Sequence, residues 1–130
     1  IIIDTGHAFN AGENIAETVG FLKIFGDKLR YVHINDNYKT WDNDMMVGSI
    51  HVIETLEFLY WLERTDYNGF YTLDMNPYRE DAVEAAKENI AIIKKLRKVL
   101  ERLDEKDLNK IFSKNDSLGA LAMLRKNLIR

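Results

Sequence analysis

The sequence IIIDTGH (residues 1–7) joins a run of three β-branched side chains to an aspartate and a histidine. Two later segments have the same character: YVHINDN (residues 31–37) carries a histidine and GFYTLDMNP (residues 69–77) an aspartate at the end of a short apolar stretch. β-Branched and aromatic residues favour extended strands. We therefore predict three strands, each of which ends in a side chain that can bind a divalent metal.

Helical patterns separate these three runs. Apolar side chains recur at three- and four-residue spacing after a cap at Asn10 or Gly12, within residues 51–66 and within residues 81–103. This spacing predicts a helix at each place. Strands that alternate with helices run parallel, because a right-handed crossover returns the chain over one face of the sheet. The sequence therefore predicts an α/β fold with three parallel β/α units.

The last part of the chain carries no strand pattern. We expect residues 1–104 to form the β/α units and residues 105–130 to form a helical extension that packs on their outer side. Asp104 and Asp116 are suitable N-caps for two short helices there. At the other end, Ile1 already lies inside an apolar strand pattern without a start methionine, which suggests a chain cut from a longer protein.

Composition limits the class of protein. The 130 residues are 46% hydrophobic and 30% charged, as in globular proteins. No apolar run approaches the roughly 20 residues that span a bilayer, and no secretory signal is visible, so we expect a cytoplasmic protein without a membrane partner. The net charge of −3 gives no broad positive field, which disfavours nucleic acid as a partner.

The strand ends carry the residues with metal-binding chemistry. Parallel strands point their C-terminal ends to one rim, so Asp4, His33 and Asp74 are expected to converge there. The chain has no cysteine, so carboxylate oxygen and imidazole nitrogen would hold the cation, and these ligands suit Mg, Mn, Co or Zn. The alternative is that each aspartate caps the following segment and that His33 is a hydrogen-bonded core residue.

Two further ionisable side chains lie close to these positions in the sequence. His7 follows Asp4 by three residues and Asp36 follows His33 by three, so both are expected at the same rim. The third histidine, His51, stands at the start of a predicted helix, and we interpret it as a surface or capping residue.

These segments resemble a known family. IIIDTGH, VHINDN, Gly48 ahead of a helix, and YNGFYTLDMNP (residues 67–77) are similar to the last three β/α units of xylose-isomerase-like TIM barrels. That superfamily includes sugar isomerases, ketose 3-epimerases and repair enzymes of the endonuclease IV type. The resemblance covers residues 1–95, and it implies that the chain forms a partial TIM barrel with extra C-terminal helices.

The resemblance also implies a role for each matching residue. The aspartate of D-x-G-H and the histidine of the next strand are metal ligands in that family, and Asp4 and His33 match them. The following histidine contacts substrate or a second metal, which implies a catalytic and substrate-binding role for His7. The last strand of the family ends in a glutamate that binds metal and, in the epimerases, moves a proton. Asp74 stands in its place, one methylene shorter, which implies a metal ligand and a catalytic residue.

The loop after the second strand departs from the family pattern. Family members often have an arginine or an Asp-x-His there, whereas this chain reads WDNDMMVGS (residues 41–49) and Asp44 replaces the histidine. We expect Trp41, Asp42 and Asp44 to contact substrate, with Trp41 over the apolar face of a sugar. The two aspartates could also bind metal, and the alternative is a solvated acidic loop. The family's fourth ligand, a glutamate on the fifth of eight strands, is expected ahead of residue 1.

The resemblance implies a parent enzyme that isomerises or epimerises a sugar or sugar phosphate with a divalent metal. A carboxylate would remove a proton next to the carbonyl and give an enediolate. The alternatives are an endonuclease IV-like phosphodiester hydrolase and a non-catalytic fragment or binding module. On its own, the chain is expected to be inactive. Because three strands leave two open edges and an uncovered face, we also expect a homo-oligomer in which a second copy covers the sheet.

Overall fold

The computed structural model describes residues 1–128, which form three strands and six helices. The strands are β1 (Ile2–Asp4), β2 (Tyr31–Ile34) and β3 (Phe70–Leu73). The helices are α1 (Thr5–Asn10), α2 (Ile15–Ile24), α3 (Val52–Arg64), α4 (Ala82–Leu100), α5 (Glu105–Lys114) and α6 (Ser117–Asn127). The predicted α/β class and its three strands are confirmed.

The three strands pair in parallel in the order β1-β2-β3. Successive side chains of a strand point to opposite faces, so each strand contributes to both faces of the sheet. One face carries Ile3, Val32 and Ile34, which are at most 4% exposed and share one hydrophobic core with the helices. The largest side chains that α2, α3 and α4 bring to this core are Ile15, Phe58, Leu59, Leu62 and Leu96.

The opposite face of the sheet is open. Ile2, Tyr31 and Phe70 are paired across the three strands in one row, and they are 54%, 44% and 69% exposed. The rings of Tyr31 and Phe70 stack with centroids 5.7 Å apart. One step further along each strand on this face lies a second row, which contains Asp4 and His33. The apolar row and the candidate ligands therefore share one surface.

The first helical segment differs from its prediction. We expected one helix with a cap at Asn10 or Gly12, but the chain forms two helices, and Asn14 is the N-cap of the second, α2. The side chain of Asn14 accepts hydrogen bonds from the amides of residues 16 and 17, both at 3.0 Å. Gly12 instead takes a left-handed conformation, φ 72°, in the turn between the two helices.

The C-terminal helices begin where the sequence predicts. Asp104 caps α5, and Asp116 caps α6 by accepting a hydrogen bond from the amide of Gly119 at 2.9 Å. An ion pair of 2.9 Å between Arg64 and Glu105 connects α5 to α3. The division of the chain at residue 104 stays a prediction.

None of the helices formed by residues 1–128 is both long enough and apolar enough to cross a membrane.

The exposed apolar row predicts self-association of this chain through the open face. We expect light scattering to give a mass of at least a dimer, because a large exposed apolar patch on a globular domain is normally covered. Phe70→Glu should shift the mass toward the monomer, since it places a charge in the exposed apolar row. Phe25→Glu is the matched control, because Phe25 is equally exposed at 69% but follows α2. A monodisperse wild-type monomer that melts cooperatively would contradict the prediction.

Candidate metal centre

The three predicted ligands meet on the open face. His33 Nδ1 lies 3.4 Å from Asp4 Oδ2 and 3.4 Å from Asp74 Oδ2, and the three ligand atoms lie within 4.8 Å of one another. Parallel register sets Asp4 beside His33. Asp74 follows β3 and is fixed by its amide, which donates to Ile34 O at 3.3 Å. All three side chains are partly exposed, so a small ligand can reach them.

The chemistry of these groups and the two separations from His33 fit one cation. Ligands about 2.1 Å from a metal and at tetrahedral angles to it lie about 3.4 Å apart, which matches both contacts of His33. Two carboxylates and one imidazole form a donor set suited to Mn, Co or Zn and, less closely, to Mg. A resident cation would also offset the repulsion between the two carboxylates.

Asp4 serves the following helix as well as the site. Its Oδ1 accepts a hydrogen bond from the amide of His7 at 3.0 Å and so caps α1, while its Oδ2 faces His33. The alternative prediction, that this aspartate caps the following segment, is therefore also confirmed. One carboxylate fulfils both roles because its two oxygens point to different partners.

His7 and Asp42 form a pair beside the three ligands. His7 Nε2 lies 2.9 Å from Asp42 Oδ2, and the His7 side chain is 73% exposed. The other oxygen, Asp42 Oδ1, is buried and has no hydrogen-bond partner within residues 1–128. A Cβ added to Gly6 would lie 2.7 Å from this oxygen and 2.6 Å from the Asn35 amide. Gly6 is therefore needed for Asp42 to approach the strand end.

Asp44 lies in the same acidic group. Its Oδ1 is 3.4 Å from Asn35 Nδ2, and its backbone is left-handed with φ 47°. Burial raises the pKa of Asp44, and the negative charges of Asp42 and Asp74 raise it further. The predicted substrate contact Trp41 is 72% exposed in the same loop. The structure thus places Asp42 and Asp44 near the candidate ligands, and the contact of Trp41 with substrate stays a prediction.

Asp36 does not join the rim, although its spacing from His33 predicts that it would. It is fully buried, and its Oδ2 accepts hydrogen bonds from the amides of Ile50 and His51 at 2.8 and 2.9 Å. Its Oδ1 lies 2.6 Å from His51 Nδ1. The interpretation of His51 as a surface or capping residue is wrong: it occupies the N-cap position of α3, but its buried side chain makes no capping hydrogen bond.

Sequence reasoning missed the buried polar network beneath the site. Thr5 Oγ1 donates to Asn35 O and accepts from Asn35 N, both at 2.9 Å, which ties α1 to the end of β2. Asn37 Nδ2 donates to Gly6 O at 2.8 Å and adds a second tie. The sequence does contain a signal for this network, because three polar residues, 35–37, directly follow a predicted strand. Polar residues that are buried need hydrogen-bond partners inside the protein.

The family comparison agrees with this fold. The family model described as xylose isomerase-like TIM barrel matches residues 1–96, which is most of the chain. The chain therefore belongs to the xylose isomerase-like TIM barrel family, and its three parallel strands confirm the prediction of a partial TIM barrel. No curated protein matches the chain.

The contrast between two aspartates of the loop gives a stability prediction. Asp36→Asn should lower the free energy of unfolding by about 3 kcal/mol, because it leaves His51 without its buried charged partner. Asp44→Asn is the matched control and should leave the metal-free protein equally stable or more stable at pH 7. Because the pKa of Asp44 is raised in the folded protein, folding disfavours its charged form. The resulting loss of stability is absent below the ordinary pKa of aspartate and is complete above the raised pKa.

Urea unfolding of both variants at pH 7 and at acid pH measures these differences. Equal stabilities for Asp36→Asn and wild type would show that the Asp36–His51 contact does not support the loop.

Proposed function

We propose that this member of the xylose isomerase-like TIM barrel family forms part of a divalent-metal-dependent sugar isomerase or epimerase. The observation that carries the proposal is the convergence of Asp4, His33 and Asp74 on one accessible face, at a separation that suits a single cation. The substrate would be an open-chain sugar or sugar phosphate, whose adjacent oxygens can reach such a site.

Each of the three residues would contribute differently. Asp4 and His33 would hold the cation with Asp74, and the cation would supply polarisation of the carbonyl and hydroxyl oxygens of the sugar. Asp74 is the most exposed of the three, with 47% of its side chain accessible, so substrate can approach its free oxygen. Its carboxylate would take the proton from the carbon next to the carbonyl and give an enediolate. For epimerisation, a second carboxylate would return a proton to the same carbon from the opposite face. For isomerisation, the proton would return to the former carbonyl carbon while the hydroxyl proton moves to the former carbonyl oxygen.

His7 is placed to orient the substrate. Asp42 Oδ2 lies 2.9 Å from His7 Nε2, so the carboxylate orients the ring and leaves Nδ1 for other partners. With most of its side chain exposed, His7 can donate to or accept from a sugar hydroxyl. Asp44 would accept from a second hydroxyl, and Trp41 would cover an apolar face of the sugar.

The charge of the rim supports a small sugar over nucleic acid. Four aspartates cluster there: Asp4, Asp42, Asp44 and Asp74. One divalent cation would leave this group negative, so it would repel a polyphosphate backbone. By the same reasoning the rim favours a neutral sugar over a sugar phosphate. The acidic rim therefore favours the isomerase proposal over an endonuclease IV-like hydrolase.

We expect Co²⁺ and Mn²⁺ to bind the chain at one site, because carboxylate and imidazole ligands converge there. Asp74→Asn and His33→Asn should each weaken Co²⁺ binding at least tenfold in isothermal titration calorimetry, since each removes one of three ligands. Asp66→Asn is the matched control: it makes the same chemical change at an exposed position after α3. Unchanged affinity in the first two variants would refute the assignment of the ligands.

We expect the full-length protein that contains these residues to catalyse exchange between solvent and the proton on the carbon next to a sugar carbonyl. NMR in D₂O with a panel of aldoses and ketoses detects this exchange directly. Asp74→Asn should lower its rate by about 100-fold or more, because the carboxylate is the group that moves the proton. Cleavage of DNA at abasic sites by the same protein, without sugar exchange, would favour the hydrolase instead.

A further inference from the structure

A buried amide on α4 links the two segments that carry Asp44 and Asp74. Asn89 is 1% exposed, and its Oδ1 accepts a hydrogen bond from the amide of Val47 at 2.7 Å. Its Nδ2 donates to Ala85 O at 3.1 Å and contacts Met75 Sδ at 2.6 Å. We propose that Asn89 is a positioning residue, which joins the loop that carries Asp44 to the segment that presents the candidate metal ligand Asp74.

The first of the two segments is the exit of β3. Asp74 is fixed on one side by its amide, which donates to Ile34 O, and it is followed directly by Met75, which Asn89 contacts. The next residue, Asn76, donates its amide to Asp44 O at 3.0 Å. Backbone hydrogen bonds therefore hold this segment at Asp74 and at Asn76, and Asn89 contacts the side chain of the residue between them.

The second segment is the loop that carries Asp44. Met45 exchanges two backbone hydrogen bonds with Asp36, at 2.8 and 3.0 Å, and so fixes one side of this loop to the end of β2. Val47, two residues later, is 3% exposed and is fixed to Asn89. Backbone hydrogen bonds thus connect the Asp44 loop to the end of β2 and to the segment after β3, and Asn89 connects the same loop to α4.

The two segments carry charges of the same sign. The charge of Asp74 is one of those that raise the pKa of Asp44, so the two segments repel each other when no cation is present. A neutral side chain can oppose this repulsion without adding charge. The contacts require an acceptor for Val47 N and a donor for Ala85 O, and an amide supplies both.

The role assigned to Asn89 rests on the proposed metal-dependent function, and it can be tested with one pair of variants. Asn89→Ala removes the link, while Leu96→Ala removes a fully buried side chain two turns later on the same helix. Both changes should lower the melting temperature. Only Asn89→Ala should weaken Co²⁺ affinity, by about 10- to 100-fold, as changes behind metal ligands typically do, and alter the visible spectrum of bound Co²⁺.

A second measurement does not depend on metal. In the metal-free protein, Asn89→Ala should make amide hydrogen exchange at Val47 and Asn76 faster than at other amides of the same variant. Leu96→Ala should show no such local increase, only the general increase that comes from lower stability. Equal Co²⁺ affinity with an unchanged spectrum in Asn89→Ala and wild type would overturn the proposed role, and so would equal exchange at both amides. So would equal losses of affinity in the two variants.

The two proposals can fail separately. If the wild-type protein binds no Co²⁺, the proposed function fails, and the exchange of Val47 and Asn76 alone then decides whether Asn89 holds the two segments. If wild type binds Co²⁺ and Asn89→Ala binds it equally well with an unchanged spectrum, the metal centre stands and the positioning role is refuted.

Discussion

Parallel pairing of β1, β2 and β3 is the constraint on which the rest of the structure depends. Because the crossovers return each strand in the same direction, every strand ends at one rim, and the register sets Asp4 directly beside His33. The sheet needs only short strands for this purpose, since the ligands stand at their ends. The helices then supply the apolar cover on one face that a three-stranded sheet needs for stability.

The rim is acidic, and its geometry depends on buried polar contacts beneath it. Asp36 takes three hydrogen bonds from residues 50 and 51, counting the imidazole, so the loop carrying Asp44 is closed at its far end. Burying this carboxylate without such partners would cost several kcal/mol. The same contacts keep Asp42 and Asp44 near Asp74, where their mutual repulsion is unfavourable until a counter-charge is present. The buried hydrogen bonds of Asp36 thus stabilise the loop enough to keep these like charges close together.

The sequence predicted the elements with strong local signals and missed those that depend on tertiary contacts. Caps at Asp104 and Asp116 and the three strands follow from side chains that act on their own neighbours in the chain. The burial of His51 depends on Asp36, fifteen residues earlier, and helical position alone gives no sign of that contact. Asn89 stands among apolar residues of α4, and its partners come from two distant loops. Periodicity locates such a residue on a helix face but does not identify what it bonds.

The open face connects the candidate metal centre to whatever covers the sheet. Ile2, Tyr31 and Phe70 form one row, and Asp4 and His33 lie one step further on the same surface. A polypeptide that covers the apolar row must therefore also narrow the access of water to the ligands. Charge interactions strengthen when water is removed, so such a cover would tighten cation binding. The pleat of the three short strands places the apolar row and the candidate ligands on one face, so whatever covers the row also changes the surroundings of the ligands.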